Sequence, residues 1–371
     1  MTTIAFAEDE YSQAMVDFAA ALRTRGLRIV RLLADSDAYV RAEPSRLRWE
    51  ELSSRWVGDA VAADGSFTRH GWEVLDAESP VDLQAMEPIA MALSSSGEDV
   101  QRGWSKCATI PDAEAIDKWR LTAHLGAAGI AVPGSWDDVD AVPKDAGPLL
   151  CKRRDTGGGA GMMLCESKAE ALAWRADLGA GETYLVQEFH DAPAVAVAGV
   201  AADGHALQAM AYRIRTNPRR PFGFGYGITV VEEPAAMDVA GQVLQLLGVR
   251  GPFALDLVPD AAGRWQVVDL NLRIWGSWTA CQAAGMDVIG SYLAALGLGP
   301  QPKPTTARAG AQVPLLRTPP LDVSTPAQRM RWLRRDLRLI KQWSAWEGSD
   351  WAGLARRRAV GWAVKGAPLP S

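Results

Sequence analysis

The chain has 371 residues, 48% hydrophobic and 22% charged, which excludes a disordered polypeptide and leaves room for two or three domains. Lys and Arg number 39 against 44 Asp and Glu, a net charge of −5 that argues against generic binding of duplex nucleic acid. The four cysteines, Cys107, Cys151, Cys165 and Cys281, are far apart, with no CxxC pair and no histidine nearby. That spacing excludes a zinc ribbon or a disulfide-stapled fold and points to a reducing compartment.

Glu8, Asp9 and Glu10 interrupt the first apolar run, so residues 1–30 do not read as a leader. No uncharged apolar run reaches the roughly 18 residues of a membrane span. The expectation is a soluble, cytoplasmic protein with no stable membrane insertion. The 15 tryptophans are read as core residues.

In chain order, TIAFAED is a strand and YSQAMVDFAAALRTRG a helix, with Met15, Phe18, Ala19 and Leu22 at helical spacing and Gly26 as its stop. LRIVRLLAD is a second strand, giving a β-α-β opening and a parallel sheet. No GxGxxG follows the first strand, so the dinucleotide fingerprint is missing. EPSRLRWEELSSRWV reads as a helix, and VDLQAMEPIAMAL carries both helical and strand signals. DAEAIDKWRLTAHLGAAGI is a helix with Asp112 as N-cap, and AVPGSW a turn. GPLLCKRR is a strand, TGGGAG a glycine loop and MMLCES a returning strand. SKAEALAWRADLG is a helix that Ser167 and Glu170 start as a capping box. TYLVQEFH is a strand. VAVAGVAADGHALQAMAYRIRT is a hairpin turning at Asp203-Gly204. MDVAGQVLQLLG is a helix, and FALDLVPDAAGRWQVVDLNLR a second hairpin turning near Asp260 to Gly263. Prolines thicken over 301–326, marking a linker.

Two segments carry chemistry. In the first, Lys152 ends a strand and Gly157, Gly158, Gly159 and Gly161 fill the next turn. Without side chains, such a loop lets backbone N–H groups approach phosphate, and Lys152 adds a point charge. Taken alone it reads equally as a flexible hairpin tip. No Gly-Lys-Ser/Thr follows, so it is not a Walker A loop. In the second, Asp256 lies on one hairpin strand, with Asp269, Asn271 and Arg273 on the other. Alternation by two gives these last three a common face. Two carboxylates and an amide are hard oxygen donors suited to one or two Mg²⁺ ions bridging phosphate oxygens. Arg273 suits the anion that receives phosphate.

Arg213 and Arg215 alternate on one face of AYRIRT, with Arg219 and Arg220 following in the loop that holds Gly223, Gly225 and Gly227. They read either as a solvated edge or as anion capture under a glycine-rich lid. His70, His124, His190 and His205 accompany no nucleophile motif, so a hydrolase triad has no support. Met330, Leu333, Leu337 and Ile340 form a helical stripe in a basic, tryptophan-rich tail. That stripe reads as packing on the body or a second subunit, or as lying on an anionic membrane.

The order Lys118, Lys152, glycine loop, VQEFH, Asp256 and DLNLRIWGSW resembles the ATP-grasp superfamily over about residues 1–300. The stretch NLRIWGSWTACQAAGMDV is similar to stand-alone ligases related to the ATP-grasp half of carbamoyl phosphate synthase. The resemblance implies an α/β and α+β fold. A Rossmann-like domain (1–112) would precede a small lid subdomain (113–186) and a C-terminal subdomain with the metal site (187–310). A proline-rich linker and a helical extension would follow (311–371). It assigns Lys118 and Lys152 to ATP phosphates and residues 157–161 to the covering loop. Gln187, Glu188, Phe189 and His190 become an adenine hinge read by backbone groups. Asp256, Asp269 and Asn271 become ligands of Mg²⁺ (two ions, or Mn²⁺), and Arg273, Lys152 and Arg215 the catalytic set, with Arg213, Arg215 and Arg273 at the substrate. Two departures stand out. Both metal carboxylates are aspartates where the family uses glutamate, and Ala194 stands near the position of the usual ribose-binding acid.

The implied activity is ATP-dependent amide or peptide bond formation from a small carboxylic acid and an amine, an amino acid or peptide, through an acyl phosphate. No nucleic-acid partner is expected, and a homodimer is allowed. A bicarbonate-activating enzyme and a catalytically weak nucleotide-binding regulator are the alternatives.

Overall fold

The computed structural model describes residues 3–8, 18, 21–22, 25–33, 59–62, 89–93, 118–154, 162–179, 181–215, 225 and 227–315. Near the N-terminus, β1 (Thr3–Glu8), β2 (Arg28–Leu33), β3 (Asp59–Ala62) and β4 (Ile89–Leu93) form a parallel sheet in the order β3-β2-β1-β4. The expected parallel pairing of the first two strands is present. β1 pairs in parallel with β2, Thr3 opposite Arg28, and Phe18, Ala21 and Leu22 lie in the intervening segment. Gly26 follows at φ 77°, a left-handed conformation that only glycine adopts freely. The helix expected over 43–57 and the tail of 316–371 lie outside the described residues.

A second sheet is small and antiparallel. It contains β5 (Ser135–Trp136), β6 (Leu149–Arg153), β7 (Met163–Cys165) and β8 (Tyr184–Glu188), in the order β5-β8-β6-β7. Helix α1 (Lys118–Ala127) precedes it, and α2 (Lys168–Ala176) covers it. The sheet and α2 share a core of Leu149, Cys151, Cys165, Ala171 and Val186, closed by Val139 and Val142 from a short 3₁₀ turn. Helix α2 starts at Ser167 as expected: Ser167 Oγ accepts from the Glu170 N–H at 3.3 Å, while the Glu170 carboxylate reaches one residue past the N-cap, to the Glu166 N–H at 3.0 Å. The AVPGSW turn differs from its reading, because Ser135 and Trp136 pair with Gln187 and Val186 as β5. Two residues carry too little local signal to read as a strand, and pairing with β8 creates it.

The third sheet has six strands: β9 (Val195–Ala202), β10 (His205–Arg215), β11 (Gly227–Val230), β12 (Gly251–Pro259), β13 (Trp265–Asn271) and β14 (Gln312–Pro314). Their order is β13-β12-β9-β10-β11-β14. Both expected hairpins form. Asp203 and Gly204 take φ of 49° and 79°, the two positive values of a type I′ turn. At the other hairpin, the Asp260 carboxylate accepts from the Ala262 and Arg264 N–H groups, with Gly263 at φ 79°. β14 lies inside the stretch expected as linker, and forms the sheet's edge by pairing with β11. β8 runs across residue 187, the expected boundary between two subdomains, so the small sheet continues to Glu188.

The six-stranded sheet is covered on both sides, which explains why VAVAGVAA is apolar without alternation. Helix α3 (Pro234–Leu247) and α1 cover one face, where Ala240, Val243, Leu244, Leu121 and Leu125 meet Val197, Phe253, Leu255 and Leu257. Two helices that the sequence reading did not anticipate, α4 (Trp278–Ala284) and α5 (Val288–Ala295), cover the other. Their Trp278, Ile289 and Tyr292 join Phe18 and Leu22 against Ala196, Ala198, Met210, Tyr212 and Ala254. Among the described residues, no helix is long and apolar enough to cross a membrane.

Candidate active site

The site is built on the β12–β13 hairpin. Asp256 and Asp269 are directly opposed across the two strands, and Asn271 is opposed to Ala254. Directly opposed residues share a face. Ala254 belongs to the cluster under α4 and α5, so Asp256, Asp269 and Asn271 lie on that side. Asn271 Nδ2 donates to Asp269 Oδ2 at 3.3 Å. One cross-strand row runs Tyr212, Ala196, Asp256, Asp269 over β10, β9, β12 and β13. The buried Tyr212 hydroxyl meets Ser277 Oγ at 2.8 Å, just before α4. Desolvation pushes the Tyr212 hydroxyl well above its ordinary value.

The hairpin contains an irregularity that the alternation rule does not anticipate. Asp256 pairs with Asp269 but Leu257 pairs with Val267, so Val268 is an extra residue in β13. Strict alternation would put Val267 on the same face as Asp269. The bulge instead gives Val267 and Leu270 to the α3 side, and it is the carbonyl of the extra residue, Val268, that faces Lys152.

Lys152 uses that carbonyl. It is 4% exposed, an unusual state for lysine, and its Nζ donates to Val268 O at 3.0 Å and to Gln187 Oε1 at 2.8 Å. Burial lowers the Lys152 pKa, Lys118 lowers it further, and Asp269 and Asp256 act in the opposite direction. Lys118 Nζ donates to the Arg154 carbonyl at 3.4 Å. The Asp256 carboxyl is pushed up to about 7, first by desolvation and then by the facing Asp269, with Lys152 opposing. The structure therefore brings together Lys118, Lys152, Asp256, Asp269 and Asn271.

The hinge residues are placed as follows. Gln187 is buried, and its Nε2 donates to Ser135 Oγ at 3.1 Å. Glu188 is tied locally: its Oε2 accepts from the Gly134 N–H at 3.1 Å, and its own N–H donates to Gly134 O at 2.8 Å. The Phe189 N–H donates to Pro148 O at 2.9 Å. His190 Nε2 is buried without a hydrogen-bond partner among the described residues. Arg273 is half-buried, and its Nη1 donates to the neighbouring Ile274 carbonyl at 3.4 Å. Gly157, Gly158, Gly159 and Gly161 lie outside the described residues, as do Arg219, Arg220 and Gly223.

Arg213 and Arg215 are not brought to the acidic pair. Along β10 side chains alternate: Tyr212 faces the α4–α5 side, whereas Ala211 packs under α3. Arg213 and Arg215 share the parity of Ala211. Arg213 accordingly pairs with Glu233, before α3, at 2.8 Å, and Arg215 donates to Gln312 Oε1 on β14 at 3.1 Å. Reading β10 alone shows that the two arginines share a face, but not which face. Ser135 and Val268 are the residues that sequence reasoning missed. The one signal was Gln187, an amide inside the apolar run LVQEF, which needs a polar partner when buried.

Among the described residues, no group of three or more His, Cys, Asp and Glu is placed to hold a metal ion. The donor set is two carboxylates and one amide. Two facing carboxylates, one of them driven toward its neutral form by desolvation and then by the other, are short of positive charge. Their oxygens are hard donors, so the set fits a divalent ion such as Mg²⁺ whose remaining ligands come from phosphate and water.

No protein-family profile matches the chain, and no curated protein matches it in sequence. Its fold is similar to that of L-amino acid ligase from Bacillus licheniformis, at 13% identity and TM-score 0.53 over 78% of this chain and 72% of that one. It is also similar to the biotin carboxylase domain of the Hydrogenobacter thermophilus 2-oxoglutarate carboxylase, solved with MgADP, ADP and bicarbonate. There the identity is 15% and the TM-score 0.55, over 84% and 73%. A third likeness is to N5-carboxyaminoimidazole synthetase from Staphylococcus aureus complexed with ADP, at 13% and 0.56 over 82% and 80%. The chain thus has the ATP-grasp fold.

Proposed function

We propose that the protein is an ATP- and Mg²⁺-dependent carboxylate–amine ligase that forms an amide or peptide bond through an acyl phosphate. The observation that carries this reading is the buried Lys152 ammonium, held beside the facing pair Asp256 and Asp269. A fixed cation next to a divalent-ion site is what the transfer of a phosphoryl group demands, because the transition state spreads negative charge over the phosphate oxygens.

In the proposed reaction, a carboxylate oxygen of the acid attacks the γ-phosphorus of ATP and ADP leaves. The amine then attacks the acyl carbon, and phosphate leaves with one oxygen of the acid. Lys152 and Lys118 hold phosphate oxygens, with residues 157–161 closing over them. Arg273 holds the acid's carboxylate before transfer and the acyl phosphate after it. Asp256, Asp269 and Asn271 would hold Mg²⁺, or Mn²⁺ in its place, and the bound ion supplies charge neutralisation at the phosphates. Aspartate is one methylene shorter than glutamate, so a metal here would sit closer to the strands or be held through water. Residues 187–190 carry the adenine. The domain limits, the Rossmann-like character of the N-terminal sheet and a helical tail belong to the same reading, as do a cytoplasmic setting and an amino acid or peptide substrate.

One named likeness, to the biotin carboxylase domain solved with bicarbonate, supports a second reading, in which bicarbonate is the activated acid. One experiment separates the two. Candidate acids labelled with oxygen-18 are incubated with Mg-ATP and amines, and the released phosphate is analysed by mass. Label in phosphate, with an acyl hydroxamate formed on adding hydroxylamine, is the expected result. Phosphate release that requires only bicarbonate and the acceptor would favour the second reading. Label in AMP, with pyrophosphate formed, would overturn both.

A further inference from the structure

We infer that Gln187 acts through its side chain as a positioning residue for Lys152, at the end of a hydrogen-bond relay with a single possible direction. The inference rests on the proposed role of Lys152 at the ATP phosphates, and it adds to the backbone reading of the hinge.

The direction follows from donor chemistry. A lysine ammonium has three donors and no acceptor. The Gln187 atom 2.8 Å from Lys152 Nζ must therefore be the amide oxygen. The other amide atom is then the NH₂ group, which must donate to Ser135 Oγ at 3.1 Å. With that lone pair used, the Ser135 hydroxyl donates onward to Pro133 O at 2.8 Å, where proline offers only a carbonyl. Flipping the Gln187 amide would set NH₂ against the ammonium and break two bonds of the chain. Both Lys152 and Gln187 are buried, at 4% and 1% exposure, so water cannot take over either contact.

The relay is anchored in the small sheet. Ser135 is opposed to Gln187 across β5 and β8, and Leu185 is opposed to Lys152 across β8 and β6. The second acceptor, Val268 O, comes from β13 of the large sheet through its bulge. Two of the three ammonium protons are thus committed to fixed acceptors on two different sheets, and the third remains for the ligand. Gln187 sets the angle at which that proton points.

The test compares Gln187→Met, which keeps length and removes the acceptor, with Gln187→Glu, which keeps an acceptor. Mg-ATP and adenosine are titrated into each by calorimetry. We expect Gln187→Met to lower ATP affinity about tenfold or more, the scale of one hydrogen bond to a charged group. Adenosine binding should stay within about twofold, since the hinge backbone is untouched and adenosine has no phosphate. Gln187→Glu should restore ATP binding to within a few-fold of wild type. Ser135→Ala, should Gln187→Met fail to fold, is expected to weaken ATP and not adenosine. Equal losses for ATP and adenosine would overturn the inference, as would unchanged ATP affinity in Gln187→Met while Lys152→Met loses it. In that last case the ATP site itself stands. If the wild-type protein binds no Mg-ATP, the proposed function falls and the inference with it.

Discussion

Asp269 has neighbours that restrict what can replace it. It faces Asp256 across the hairpin, accepts from Asn271 and acts electrostatically on Lys152. Asp269→Asn keeps the shape and removes the charge, so ADP formation should fall by about 10²-fold or more while the far-ultraviolet circular dichroism is unchanged. Near-normal turnover in the folded variant would remove the acidic pair from the mechanism. Asp256 gives a prediction in pH. Its carboxyl moves from 3.8 to about 7 on folding, mainly through desolvation. A raised pKa means that the folded state binds the proton more tightly than the unfolded one. Metal-free stability from this group is therefore complete below the unfolded value and is lost as pH rises through about 7. Melting temperatures of metal-free wild type and Asp256→Asn should diverge as pH rises from 5 to 8, with the variant the more stable at pH 8. Added Mg²⁺ should stabilise the wild type most at the high end, where the carboxylate is free of its proton. Parallel curves for the two proteins would contradict this.

At the scale of elements, the close approach of β9 and β10 is the tightest constraint. Gly199 pairs with Ala209 on one side and Phe253 on the other, next to a register shift between Ala206 and Gln208. A Cβ at position 199 would collide with the Gln208 carbonyl oxygen and lie 2.8 Å from Ala209 Cα, both of them backbone atoms. Gly199→Ala should therefore cost about 1–3 kcal/mol or more, read as a lower urea midpoint. The hairpins were legible because their turns use residues chosen for their own chemistry, Asp203-Gly204 for positive φ and Asp260 for its carboxylate. β5 was not legible, since two residues become a strand only when β8 lies beside them. Helices α4 and α5 follow DLNLRIWGSW, where attention to the polar positions hid the helical spacing of Trp278, Cys281, Ile289 and Tyr292.

At the scale of the molecule, the N-terminal segment is bound to the large sheet through aromatic packing. The Phe18 ring meets Trp278 edge-on at 5.4 Å and Tyr292 at 5.0 Å, inside the cluster beneath the acidic pair's face. Phe18→Ala should cost about 3–5 kcal/mol in chemical denaturation. ATP turnover at low temperature should survive, since the two rings that Phe18 meets, Trp278 and Tyr292, are not among the proposed site residues. A loss below about 1 kcal/mol would mean that the segment docks loosely. By itself, the sequence determined the order of chemical groups along the chain, the turns, and which polar side chains alternate together, because these depend on spacing and on each residue's own conformational preferences. Only the tertiary structure decided that Arg213 and Arg215 face α3 while Asp256 and Asp269 lie on the opposite side, because a strand's two faces are equivalent until something packs on them. It also decided that Val268, 116 residues from Lys152, turns its carbonyl to that ammonium. That contact joins the extra residue of one sheet to a buried lysine from another, and no spacing within a single strand encodes both.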